Sequence, residues 1–323
     1  MKKRFLSLIA ASMALALAFT SCASRTTVGG GGIQATLYAA GCDESFRPTI
    51  WKDGAPFVTI NAYGTFNAVY ASAGIVYAAG LADERPFYWK SNDPNTYHYL
   101  GSGEGWATSV CVTSSGYMYV AGWDSYGGKV WRGATSANTA ATTYHDLGEN
   151  AWPMSICVYG DTVYTGGCDV YGSCIWEGSR FIDGIDDDSA YIYSIDVSNG
   201  VVYAAGEFDY RPVWIKTGDL NNYYLGNGYG LAASISVSGG NIYIAEYNEN
   251  ADGRVWRGAA SGNTVSIQYR LGNYAAPESV FVAGSDVYAG GWDGSVGCGR
   301  IWKNGARLYD LGYDTDVFSI FVQ

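Results

Sequence analysis

The stretch Ser194-Ile195-Asp196-Val197-Ser198-Asn199-Gly200-Val201-Val202-Tyr203-Ala204-Ala205-Gly206, then Val213-Trp214-Ile215-Lys216, then Tyr224-Leu225-Gly226, decides how this chain is read. Two short runs rich in β-branched and aromatic residues flank Asn199-Gly200. Asn-Gly between apolar runs is a strong hairpin signal, because both turn positions need positive φ. The stretch therefore predicts a hairpin (strands A and B), a third strand around the tryptophan and a fourth around Tyr-x-Leu-Gly.

The consensus S-I-x-V, turn, V-Y-x-A-G, loop, W-K/R-x-G, Y-x-L-G occurs seven times. Its tyrosines are Tyr38, Tyr77, Tyr119, Tyr164, Tyr203, Tyr243 and Tyr288, spaced by 39, 42, 45, 39, 40 and 45 residues. Its tryptophans are Trp51, Trp89, Trp131, Trp176, Trp214, Trp256 and Trp302. A period of roughly forty residues holding four β segments is the signature of a β-propeller. The expectation is an all-β, seven-bladed propeller with four strands per blade.

The ends support that count. The first copy lacks a strand A before Tyr38, and the last is followed by a lone strand A, Phe318-Ser319-Ile320-Phe321-Val322. The A strands centre on Val69, Val110, Ile156, Ile195, Ile235, Val280 and Ile320. The C-terminal strand should then pair with the N-terminal strand at Leu37–Gly41, closing the ring and removing exposed edges. The small Ala-Ala-Gly of strand B is expected near the crowded axis.

Residues 1–21 read as a targeting segment: Lys2, Lys3 and Arg4, then an apolar run too short for a comfortable membrane span. The run ends Phe19-Thr20-Ser21-Cys22, which resembles a bacterial lipoprotein signal with Cys22 as the lipid-modified residue, although Phe19 stands where Leu is usual. The plainer alternative is an ordinary secretory signal with a chance cysteine. Acylation at Cys22 would hold the protein on a membrane. By the same resemblance, Ala23 implies the outer membrane of a Gram-negative or spirochaete-like bacterium. Residues 22–35 then form a flexible tether, with Gly29–Gly32 at its centre. Residues 36–323 show no composition break and read as one propeller domain.

The chain has 19 basic and 30 acidic residues, and removal of residues 1–21 leaves 16 basic ones and a net charge of −14. Such a surface argues against nucleic acid and against direct binding to anionic lipid. It suits cations, neutral glycans or a basic partner, and equally plain solubility. Cys168 and Cys174 share one B–C loop, so export would permit a disulfide between them. Cys42 and Cys298 fall in neighbouring blades once the ring closes and form a second conceivable pair. Cys111 and Cys157 occupy matching strand-A positions and read as buried thiols. No spacing resembles a zinc or haem motif.

In this topology the B–C and D–A loops share one face, and the A–B and C–D loops share the other. The B–C loops vary and carry an acidic residue in every copy, for example Asp43, Asp83, Asp124, Asp169, Asp209, Glu249 and Asp293. Trp106, Trp123, Trp152 and Trp292 fall outside the repeat consensus, on the same face. An aromatic ring beside a carboxylate can bind a sugar, which makes Trp123/Asp124 and Trp292/Asp293 the best pairs. Trp106, Trp152 and Asp169 complete the ligand-binding expectation; the structural alternative is that the rings pack a seam and the carboxylates cap turns. Asp186-Asp187-Asp188 could hold calcium, although it lacks the spacing of a known calcium loop. Otherwise no cofactor is expected. His98 and His145 sit in matching strand-D positions and read as repeat features. There is no Ser/His/Asp set or phosphate loop, so no enzymatic activity is expected, a glycosidase ranking third.

Ser279-Val280-Phe281-Val282-Ala283-Gly284-Ser285-Asp286-Val287-Tyr288-Ala289-Gly290, with Trp302-Lys303-Asn304-Gly305, resembles repeats of uncharacterised bacterial secreted proteins and lipoproteins. The likeness spans residues 36–323. It implies a propeller in a cell-envelope protein and no particular activity. Kelch propellers share the architecture, but their Gly-Gly, Tyr, Trp order is not kept here. The functional expectation is a lipid-anchored scaffold or protein-binding module, with a lectin as the alternative.

Overall fold

The computed structural model describes residues 35–136, 141–219, 221–250 and 252–323. The targeting segment, Cys22 and nearly all of the tether lie outside the described residues. The described chain is all-β: seven four-stranded antiparallel sheets form a seven-bladed propeller. Blade 1 takes strand A from the C-terminus (Asp316–Val322) and strands B, C and D from the N-terminus (Leu37–Cys42, Pro48–Lys52, Ala55–Thr59). Leu37 pairs with Val322, and Thr36 and Gln323 exchange backbone hydrogen bonds of 2.9 Å. Ring closure is as the sequence predicts.

Strands A of blades 2 to 7 are Gly64–Ser72, Trp106–Val112, Trp152–Tyr159, Ala190–Ser198, Gly230–Ser238 and Ala275–Ala283. Each A strand touches the A strands of both neighbouring blades, so these strands surround the axis. Their central residues, from Val69 to Ile320, are fully buried.

Two repeat residues have roles that strand periodicity does not show. The first is the serine of S-I-x-V. Ser109, Ser155, Ser194, Ser234, Ser279 and Ser319 each accept a hydrogen bond (3.0–3.3 Å) from the backbone amide of the next blade's strand A. Ala68 holds the matching position in blade 2, and there Asn67 Nδ2 donates 2.9 Å to the Ala107 carbonyl instead. The second is the glycine of V-Y-x-A-G. Each strand A carries a bulge just before the serine; in blade 5, Ile192 pairs with Gly206 and Ser194 with Ala205, leaving Tyr193 unpaired. A Cβ on Gly206 would overlap the Tyr191 carbonyl oxygen, and Gly41, Gly80, Gly122, Gly167 and Gly291 face the same obstruction. Strand B is small because strand A crosses it closely there.

The register corrects one tryptophan. Trp51, Trp89, Trp131, Trp176, Trp256 and Trp302 lie one step from the residue paired with the strand-B tyrosine. In blade 5 Lys216 pairs with Tyr203, so Ile215 takes that place and Trp214 stands opposite Ala205. One step along a strand reverses the side chain. Trp214 therefore packs toward blade 6, in one cluster with Trp256.

Neither disulfide that export would permit is present: Cys168, Cys174, Cys42 and Cys298 are free, buried thiols, as is Cys111, whereas Cys157, read from the sequence as a thiol, is disulfide-bonded. Cys168 pairs with Ser173, and Cys174 with Gly167. That one-residue offset directs the two side chains to opposite faces of their sheet. Cys42 instead donates to Asp316 Oδ2 at 3.9 Å.

Candidate functional site

The B–C turns explain where the acidic residues go. A short turn leaves backbone amides without strand partners, and an Asp or Asn side chain accepts them. Asp43 Oδ1 accepts from Ser45 and Arg47, Asp169 Oδ1 from Tyr171 and Gly172, and Asn248 Oδ1 from Asn250 and Asp252. Asp124 is buried, with Oδ1 bound by the Tyr126 amide and Oδ2 by the Ser102 amide. Asp293 is also buried, engaged by Ser295 and by Arg300. The carboxylates expected to meet a sugar thus hold the turns.

Capping leaves the residue two or three positions later at the loop tip. Those tips carry Phe46, Tyr126 and Tyr171, and the uncapped turn of blade 5 carries Tyr210; all four are exposed. The D–A connections on the same face add Tyr63, Tyr229, Tyr274 and Tyr313, also exposed. Trp292 is the ninth, at 37% exposure; it is the tryptophan with the most open ring. Phe46 and Tyr63 touch across a seam at 5.9 Å. Sequence reasoning picked out only Trp292 from this set. The signal was present in the spacing of Asp43 to Phe46, Asp124 to Tyr126 and Asp169 to Tyr171.

The connections of this face also hold ten exposed acidic residues, among them Glu44, Glu84, Glu104, Asp186, Asp209 and Glu249. Among the described residues of these connections the one exposed base is Arg47, and it is paired to Asp43 at 2.6 Å. Asp186, Asp187 and Asp188 do not converge: Asp187 Oδ1 is taken by Ser189, and no group of three possible metal ligands occurs among the described residues.

Trp106 and Trp152 open the axial strands of blades 3 and 4, and Trp123 lies near the end of strand B of blade 3; all three are half-buried. Trp106 pairs with Trp123 and their rings stack at 5.8 Å. On the other side of the ring, Tyr193 donates 2.9 Å to Glu207 Oε1. Tyr247 of blade 6 hydrogen bonds Glu278, the bulge residue of blade 7. Asp316 of blade 1 bears on Glu278 electrostatically. Burial pushes the carboxyls of Glu207, Glu278 and Asp316 above their usual range, Glu278 furthest. Glu278 Oε2 is buried without a hydrogen-bond partner.

No protein family and no curated protein matches the chain. Among solved structures it is similar to the WD40 β-propeller domain of Doa1, at 15% identity and TM-score 0.59, over 80% of this chain and 86% of that one. It is similar to the Pseudomonas aeruginosa periplasmic gluconolactonase PpgL, at 10% identity and TM-score 0.59, over 89% and 98%. It is also similar to the computationally designed Ika8 protein, at 12% identity and TM-score 0.57, over 94% and 90%. At such identities the likeness establishes the fold, a β-propeller, and nothing about activity.

Proposed function

We propose that this chain is a lipid-anchored cell-envelope β-propeller whose B–C/D–A face docks a protein partner, without catalysis. One observation carries the reading: nine exposed aromatic side chains stand on one face. Tyr and Trp are favoured where proteins bind proteins, because they offer large rigid contact area at low entropic cost. The surrounding acidic residues favour a partner rich in Lys and Arg and make association salt-sensitive. The anchor rests on the basic start, the apolar run and Cys22.

The test is capture on intact cells by cross-linking, comparing wild type with Tyr171→Ala/Tyr210→Ala. The expected outcome is a partner that wild type recovers, that the double variant loses and that high salt releases. A partner held equally by both proteins would sink the reading. Cys22→Ala should release the protein from the membrane fraction; continued membrane association would overturn the anchor.

A glycan-binding reading draws support from Trp292, whose ring stands open beside its capped turn. Glycan-array binding lost in Trp292→Ala would favour it over protein docking.

A further inference from the structure

The face opposite the aromatic rim, formed by the A–B and C–D turns, carries a different chemistry. Strand C reaches it with the residue that pairs with the repeat tyrosine: Lys52 with Tyr38, Arg132 with Tyr119 and Arg257 with Tyr243. In blades 4, 5 and 7 the matching residue has an ionic partner: Glu177 pairs with Arg180, Lys216 with Asp219 at 3.6 Å and Lys303 with Asp286 at 2.8 Å. In blade 2 it is Lys90, which is buried. Lys52, Arg132 and Arg257 make no ion pair among the described residues and lie over rings instead. Lys52 stands 5.8 Å from Tyr38, Arg132 stands 4.7 Å from Tyr117 and 4.2 Å from Tyr144, and Arg257 stands 5.5 Å from Tyr243. Lys52 and Arg257 are exposed and Arg132 is half-buried. Their blades are 1, 3 and 6, so every three consecutive blades of the ring contain one.

Exposed rings accompany them at or near the strand ends of this face: Phe57 in blade 1, Tyr117 and Tyr144 in blade 3, and Tyr159 and Phe181 in blade 4. The turns of this face hold four acids, Asp53, Asp93, Asp161 and Asp219, against ten exposed acids on the rim face. Asp219 faces Lys216, and Asp53 accepts from the Leu37 amide. Thr36 lies here too, bonded to Gln323, so residues 22–35 join the propeller on this face. Those fourteen residues reach at most about 50 Å.

We propose that this face rests on the anionic headgroups of the membrane to which Cys22 is fixed, with Lys52, Arg132 and Arg257 taking lipid phosphates and the exposed rings lying at headgroup level. The inference rests on the anchored reading and gives it an orientation. A base without a carboxylate keeps its donors for phosphate, and aromatic rings favour the boundary between headgroup and acyl chain. The net negative charge, which from the sequence argues against anionic lipid, sits mainly on the far face. Strands of eight residues, such as Val201–Phe208, set the two faces about 25 Å apart, against a screening length of about 8 Å at physiological salt. Three bases at about fivefold each hold less than one acyl chain does, so protein without its anchor still leaves washed membranes. The tether makes the contact effective by keeping this face close to the lipid.

The first test is co-flotation of the full chain carrying Cys22→Ala with excess vesicles of phosphatidylcholine, alone or mixed with phosphatidylglycerol. The expected result is binding to the mixed vesicles only, release by high salt, and partitioning lowered about fivefold by each of Lys52→Gln, Arg132→Gln and Arg257→Gln. Tyr171→Ala/Tyr210→Ala, on the far face, should leave it unchanged. The second test uses the lipidated chain with a fluorophore at Ser114→Cys or Ser125→Cys, exposed positions at opposite ends of strand B of blade 3. A headgroup-borne quencher should reach the first and spare the second. Equal binding to both vesicle types, folded charge variants that bind as wild type does, or equal quenching at the two positions overturns the proposal. Charge-dependent flotation of a chain that cells do not acylate would sink the anchor and leave this surface standing. Attachment through Cys22 without charge-dependent flotation would do the reverse.

Discussion

The hydroxyl of Ser319 accepts a hydrogen bond of 3.3 Å from the amide of Val69, 250 residues earlier in the chain. It is the contact at which the last axial strand joins the first, and it repeats a bond that five other serines make within the ring. Strand A is the edge strand of its sheet, and the neighbouring blade's serine takes up one of its amides.

Ser194→Ala should therefore destabilise the propeller without altering its surface. The Ile235 amide would lose this acceptor in a buried setting, a loss of about 1–3 kcal/mol. Urea unfolding should show a lower midpoint with an unchanged slope. A midpoint equal to wild type would mean that the ring of serines is incidental.

Gly206→Ala is expected to be worse than any serine change. The added Cβ meets the Tyr191 carbonyl oxygen, which is backbone and cannot rotate away. A loss above about 3 kcal/mol, or failure to fold, is expected. Gly200→Ala is the control: no atom lies near its Cβ, so its cost should come only from its positive φ of 78°.

Glu246 makes stability depend on pH. It stands where six blades have glycine, buried against Trp256 Nε1 at 3.1 Å. Burial raises its pKa from 4.5 to about 7, more than the Trp256 hydrogen bond and the Arg254 charge offset. The folded chain keeps this proton between about pH 4.5 and 7, where the unfolded chain has released it. Stability should thus fall as pH rises through that window, by about 2–3 kcal/mol from this group. Glu246→Gln should flatten that part of the profile in thermal melts at pH 5 and pH 8.

The thiols should be silent in the native state. Burial pushes Cys168 and Cys42 up to about 12, and Cys174 and Cys111 higher still. An aromatic disulfide reagent should label them only after unfolding. Labelling of Cys168 or Cys174 in the native protein would contradict their burial.

The blade count, the strand order and the closing strand were legible because tyrosine, tryptophan and glycine recur at fixed offsets. Trp214 misled because tryptophan is the more conspicuous landmark. Counting back from Lys216, which pairs with Tyr203 as Lys52 pairs with Tyr38, would have exposed the one-residue shift. Asp124 and Asp293 looked like ligand groups because sequence cannot show what converges on each carboxylate: two backbone amides at Asp124, and Ser295 with Arg300 at Asp293. Glu278 was harder still. It precedes the motif serine by one position, and only the bulge makes that position unpaired.

The paired ends, Thr36 against Gln323, carry a consequence for orientation. Strand B of blade 1 begins, and strand A of blade 1 ends, on the A–B/C–D side. Whatever is joined ahead of Thr36 therefore departs from the underside, directly beneath the aromatic rim. A leash fixed there attaches on the side opposite the aromatic rim, so its point of attachment leaves the rim's loops uncovered.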